Sequence, residues 1–179
     1  MQTLNRMMRK LAGVGSSSVA QAIQSLSSMV VLMLAAKLLG IEALGLFSIL
    51  YGALVLAAAI TSGFIGDTLM VLDRHNPHIQ AGLRTWFVTL ALLIGVVGFG
   101  LTLAATQLGV IGAFCYALAS IAYVAEDLVR RCHMAVMNFG RLVVVDLVVL
   151  VSTALTLGIG FLLNSLTLEI FLLAIFLGQ

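Results

Sequence analysis

Glu126, Asp127, Arg130 and Arg131 stand within six positions of one another in an otherwise apolar stretch. Glu126 and Arg130 are four apart, as are Asp127 and Arg131, and in both pairs the acid is N-terminal, the better orientation for a helical ion pair. Two chemistries suit this pattern. The charges can neutralise one another at a membrane interface while the arginines snorkel to headgroups. Alternatively they form the charged mouth of a cavity, with Arg130 and Arg131 offered to an anionic substrate. A guanidinium is a planar fork that donates two hydrogen bonds to a phosphate at once. Upstream, Tyr116, Ser120, Tyr123, Asp127 and Arg130 step by four, three, four and three, so they share one helical stripe. Asp67 and Asp146 are the other acids near membrane depth, and both are expected level with the charged cluster. An acid inside a span usually faces the interior and has a partner. An ion-pair belt is the simplest account of these groups, and proton or cation coupling through one of them is the alternative.

A second hydrophilic stripe lies near the N-terminus. Gly13, Ser17, Gln21, Gln24 and Ser28 recur at spacings of four, four, three and four, and Ser16, Ser18, Ser25 and Ser27 widen the stripe. Glutamine facing lipid is costly, so this face must meet other helices or water. It serves either hydrogen bonding between packed helices or the wall of a hydrated pathway. In the second case Ser17, Gln21, Gln24, Ser28, Tyr116, Ser120 and Tyr123 are the cavity-lining candidates.

Other chemistries lack their residues. The sequence holds no phosphate-binding Gly-rich loop, nucleophile elbow, metal-ligand cluster or basic–aromatic nucleic-acid surface. No catalytic residue, metal or cofactor is expected, and the chain does not read as an enzyme. His75, His78 and His133 fall in connections. Cys115 and Cys132 are separated by roughly 25 Å along a continuous helix at 1.5 Å per residue, too far for a disulfide. Both are expected as free thiols.

The elements that hold these residues follow from composition. The chain has 179 residues, of which 62% are hydrophobic and 9% charged, with a mean hydropathy of +1.20. A soluble domain of this length needs far more polar surface, so the class is a membrane protein. Long apolar runs predict spans over about 11–39, 46–72, 85–106, 110–129 and 142–163, with a shorter run over 168–179. Each of the five long runs reaches the roughly 20 residues needed to cross about 30 Å of hydrocarbon. The last covers only about 18 Å, the start of a sixth helix. Helices suit these lengths, because in lipid every backbone amide needs an internal partner. The fold class is therefore an all-α, polytopic membrane protein with five complete transmembrane helices and the beginning of a sixth. It divides into a basic segment, 1–10, and a transmembrane lobe, 11–179. Trp86 is expected as an interfacial anchor. Gly63, Gly66, Gly95, Gly98 and Gly100, with Gly158 and Gly160, are expected to allow close helix packing.

The basic residues set an orientation. Arg6, Arg9 and Lys10 precede the first run, Arg74 and Arg84 follow the second, and Arg130, Arg131 and Arg141 follow the fourth, leaving only Lys37 on the opposite side. The positive-inside rule then predicts a cytoplasmic N-terminus.

The stretch Leu34-Ala35-Ala36-Lys37-Leu38-Leu39-Gly40-Ile41-Glu42-Ala43-Leu44-Gly45-Leu46-Phe47-Ser48 resembles a passage at the end of the first span in polysaccharide transporters. These are the O-antigen and capsule flippases of the multidrug/oligosaccharidyl-lipid/polysaccharide exporter superfamily. The serine- and glutamine-rich first span, the Gly63-Phe64-Ile65-Gly66-Asp67 ending of the second, the Arg130-Arg131 pair and Asp146 are similar to that family's pattern. The resemblance implies one lobe of a two-lobe, alternating-access flippase in the bacterial inner membrane, carrying lipopolysaccharide or other polysaccharide precursors. Its substrate would be an undecaprenyl-diphosphate-linked glycan, and its partners the lipid bilayer and a C-terminal helical lobe not contained in these residues. Arg130 and Arg131 would attract the diphosphate, and Asp67, Glu126, Asp127 and Asp146 would serve ion pairing or coupling. Gln21 and Gln24 stand where lipid II flippases place cavity-facing arginines, which favours a sugar-lipid over lipid II. A cation-coupled multidrug antiporter and a non-transporting membrane subunit are the rival expectations.

Overall fold

The computed structural model describes residues 2–66, 68, 77–136, 139–163 and 167–179, with the side chains of 2–18, 20, 77, 135 and 139 outside that description. Asp67 and the side chain of Ser17, both candidates above, lie outside the described residues, as do Arg74 and the side chains of Arg6, Arg9 and Lys10. The described residues form six α-helices: α1 (Gln2–Leu38), α2 (Gly40–Thr61), α3 (Pro77–Ala105), α4 (Gly109–Ala135), α5 (Phe139–Leu162) and α6 (Leu168–Gly178). A π-helical turn, Ser62–Gly66, prolongs α2. Stretches of α1 to α5 are long and apolar enough to cross a membrane, and α6 is a shorter apolar helix. The chain is a multi-pass helical membrane protein.

Several boundaries differ from the sequence expectation. Residues 1–10 were expected as a separate segment, but α1 runs unbroken from Gln2. The connection expected over 40–45 is instead the first turns of α2. Gly40 takes φ +74°, a left-handed conformation that glycine adopts at little cost. One such residue reverses the chain, and no further loop is needed. Helix α3 starts eight residues early, at Pro77, because proline fits the first helical position, where its missing N–H is not needed. Helix α4 agrees with the expectation, since it continues past Arg131 to Ala135, as the helical pairing of Asp127 with Arg131 requires.

Helix α4 is the axis of the bundle. Of its span, 44% is buried, against 11–22% in the other four. It packs on α2, α3, α5, α6 and the π-helical turn. Short α6 is wedged between α4 and α5, with Phe171, Leu172 and Ala174 fully buried. Phe171 meets Phe47 edge-on at 5.6 Å, and Phe47 stacks on Tyr51 at 5.8 Å. Helix α1 closes the bundle against α5 and α2.

Glycine sets two of these approaches. A Cβ on Gly95 of α3 would stand 2.7 Å from Ile121 Cδ1, and one on Gly98 would stand 3.1 Å from the Tyr116 ring. Gly66 similarly leaves space filled by the Arg131 side chain. The same role expected for Gly63, Gly100 and Gly158 does not hold, since a Cβ there meets open space. Replacing Gly95 with leucine will force α3 off α4 and cost roughly 1–3 kcal/mol, the usual range for overpacking. Thermal aggregation of the detergent-purified variant measures it. Gly100→Leu is the control expected to leave the midpoint unchanged.

Candidate functional site

At one end of the bundle, α1, α4, α5 and α6 converge on a charged cavity of about 40 Å³. That volume is enough for a small number of waters. Arg130 lies at its centre. Its Nη1 donates to Asp146 Oδ1 at 2.7 Å and stands 3.7 Å from Glu126 Oε1. The side chains of Arg130, Asp146 and Glu126 are 6%, 1% and 7% exposed, so this is a buried ionic triad and not a surface pair. Charges removed from water need partners of this kind to be tolerated.

The local folding explains the meeting. Glu126 and Arg130 share a face of α4 because they are one helical turn apart. Asp146 lies roughly two turns past the start of α5, and α5 runs back along α4 from the same end. The second pair on α4 looks a different way. Arg131 Nε donates to Asp127 Oδ2 at 3.1 Å, and the hydroxyl of Ser62 donates to the same oxygen. Ser62 opens the π-helical turn, a wider turn often found at functional positions. Asp127 thereby ties α2 to α4 beside the triad.

The remaining lining carries hydrogen-bonding groups. Gln24, Ser27 and Ser28 approach from α1, Tyr51 from α2, Tyr123 from α4, Thr153 from α5 and Gln179 from the end of α6. Two acceptors of this lining, Asp146 Oδ2 and Gln179 Oε1, are buried without a hydrogen-bond partner among the described residues. Tyr51 and Tyr123 meet edge-on at 6.2 Å.

The sequence candidates therefore separate into groups. Gln24, Ser28, Tyr123, Glu126, Arg130 and Asp146 come together at the cavity. Gln21 is exposed on the outside of α1. Tyr116 and Ser120 share the stripe of Tyr123 but lie further along α4, away from the cavity. Tyr116 Oη donates to Leu50 O at 3.1 Å, and Ser120 Oγ donates to Tyr116 O at 2.7 Å. Both are buried, and they serve helix packing instead of a wet wall. Arg130 also departs from the mouth expected for it. Its Nη1 is engaged by two buried carboxylates, which leaves it interior to the bundle. Arg131 is more open, at 26% exposure, and pairs with Asp127. Cys115 and Cys132 are free thiols, as their spacing requires.

Thr153, Tyr51, Ser62 and Gln179 were not anticipated. Thr153 follows Asp146 by seven, a spacing that returns to the same helical face, and that signal was available in the sequence. Ser62 and Tyr51 had none, because their roles depend on how α2 sits against α4. Among the described residues no group of three or more His, Cys, Asp or Glu side chains is placed to hold a metal ion. Comparison with protein-family models, curated proteins and solved structures gives no match to this chain.

Proposed function

We propose that this chain is one lobe of an alternating-access exporter that carries a lipid-linked oligosaccharide across a membrane. The observation carrying this reading is a hydrophilic face on a helix of membrane-spanning length. Gln21 and Ser25 are exposed on α1, and Gln24 and Ser28 continue that face into the charged cavity. In a bilayer such a face needs water or a partner. A broad depression on α1, lined by Gln24, Ser25, Ser28 and then Met29, Leu32 and Met33, passes from polar to apolar along one helix. A second helical lobe facing it would enclose a compartment with hydrogen-bonding walls at one end and apolar walls at the other. That combination suits a polar sugar head on an apolar tail, and rocking of one lobe against the other moves such a site between sides. The resemblance of residues 34–48 to polysaccharide transporters supports the same reading. It also supports a bacterial inner-membrane location with the N-terminus in the cytoplasm, the side to which the alternation of basic residues points.

In this reading the triad of Glu126, Arg130 and Asp146 locks α4 to α5, and Arg131 is the arginine closer to the diphosphate. The test is replacement of Gln24 with leucine together with Ser28 with valine in the host cell. Surface polysaccharide is expected to fall and its lipid-linked precursor to accumulate on the cytoplasmic leaflet. Normal surface polysaccharide at normal protein level would remove the transport role of α1.

A specific observation favours a second reading, cation-coupled antiport. Two carboxylates face one guanidinium in the triad, and Asp146 Oδ2 has no partner. A proton or a small cation would balance the remaining charge. Asp146→Asn, which removes that charge and keeps the shape, is then expected to abolish ion-dependent drug resistance while surface glycan stays normal. Loss of glycan with unchanged drug resistance would favour the first reading.

A further inference from the structure

We propose that Glu126 is a proton-binding site, the group that takes up and releases H+ while Asp146 stays ionised as the fixed partner of Arg130. Its role in coupling rests on the antiport reading, while the site itself stands on the triad. Two carboxylates share one guanidinium there, and their side chains are 7% and 1% exposed. With both ionised, one buried negative charge has no counter-charge. Like charges that share a site do not both stay ionised, and an uncompensated buried ion is costly. One bound proton removes the surplus.

Distance separates the two acids. Arg130 Nη1 donates to Asp146 Oδ1 at 2.7 Å, the length of a charge-assisted bond. The same nitrogen stands 3.7 Å from Glu126 Oε1, beyond hydrogen-bond reach. Glu126 is the more loosely held carboxylate and is the one that gives up its charge. Access points the same way. Asp146 has Oδ1 taken by Arg130 and Oδ2 buried, whereas Glu126 keeps the larger exposure and lines the cavity. The few waters for which that cavity has room carry a proton from hydronium to the carboxylate oxygen and back. A metal ion fits less well. It would need several oxygens at once, Asp146 has none open to it, and the Arg130 guanidinium would repel it. Of the other titratable groups around Glu126, Tyr123 comes from α4 and Tyr51 from α2. Asp127, the next residue along, is paired with Arg131. Among the described residues, α1 and α6 bring only neutral groups to the cavity, such as Gln24, Ser28 and Gln179. A protonated Glu126 has an O–H to donate, and α1 supplies acceptors in that lining. Loading the proton therefore changes what α4 offers to the hydrophilic face of α1.

Infrared difference spectroscopy of the full chain in detergent reads the site directly. The pH is stepped from about 6 to about 9, above the ordinary carboxylate range near 4. The expected result is the loss of one protonated-carboxyl C=O band. That band shifts when glutamate is isotope-labelled at its carboxyl carbon and stays in place when aspartate is labelled instead. Glu126→Gln is expected to lack it, and Glu169→Gln, a control in the first turn of α6, to keep it. Asp146→Asn is expected to lack it too, because Glu126 is then the sole counter-ion of Arg130 and stays ionised. The labelling needs no substitution and decides the matter even if Glu126→Gln fails to accumulate. A band that follows the aspartate label, a band retained in Glu126→Gln, the absence of any band, or a band removed by sodium at fixed pH would each overturn the assignment. The drug-resistance assay is a separate readout. The band without ion-dependent resistance would remove the antiport reading and leave the proton site standing, and Asp146-dependent resistance without the band would do the reverse.

Discussion

Replacing Arg130 with alanine will destabilise the folded bundle by about 3–5 kcal/mol, the cost of leaving a buried charge unpaired. The variant strands Glu126 and Asp146, whose side chains are 7% and 1% exposed, without their shared counter-charge. Asp146 would suffer most, since its Oδ2 already lacks a partner and its Oδ1 would lose the 2.7 Å bond. The readout is the fraction of protein surviving heating in detergent, together with its steady-state level in the membrane. Arg130→Met combined with Glu126→Gln and Asp146→Asn removes every formal charge at once and is expected to recover most of the loss, because neutral groups are cheaper to bury than an unpaired ion. Arg131→Ala serves as the contrast. Its partner Asp127 is partly exposed and also accepts from Ser62, so the change should cost only about 1 kcal/mol or less. Equal stability of Arg130→Ala and the parent would show that water reaches the triad.

Phe171→Ala is the second large effect. Phe171 is fully buried at the centre of the core that joins α1, α2, α4, α5 and α6, edge-on to Phe47. In lipid the removed ring loses little transfer free energy, because acyl chains are as apolar as the core. What is lost is contact with its neighbours, and the cavity left behind is filled only in part. A loss of about 2–3 kcal/mol is expected, slightly below the usual range for a buried Phe→Ala change in water. Phe171→Leu should recover at least half of it. The same thermal assay reads both. Leu177→Ala, on the exposed side of α6, is expected to change nothing measurable. If Phe171→Ala were equally silent, α6 would not be packed between α4 and α5.

The triad shows how far the pattern of residues reaches. The pairing of Glu126 with Arg130 and of Asp127 with Arg131 follows from spacing alone, because the helix brings residues four apart onto one face. That Asp146 completes the first pair, and Ser62 the second, does not follow. Both depend on which face of α4 meets α5 and which meets α2. The stripe Tyr116, Ser120, Tyr123 illustrates the same limit. Helical period places the three on one face, yet that face passes from a core beside Leu50 to a charged cavity within two turns. Periodicity describes a direction around the axis and is silent about what lies opposite at each depth. Boundaries are another case. The turn at Gly40 occupies a single left-handed residue, and a reading based on polarity spreads it over six.

Helical class, the number of long spans and the position of charges along them are determined by the residues themselves. Local hydrogen bonding and the cost of unpaired amides in lipid leave such runs no other form. Which glycines are packed, which arginine is interior, and where a groove opens are decided only by the tertiary arrangement. In a bilayer, apolar faces are nearly indifferent between lipid and protein. The choice among them falls to fit: a Cβ missing at Gly95, a guanidinium between two carboxylates, a tyrosine hydroxyl against one carbonyl.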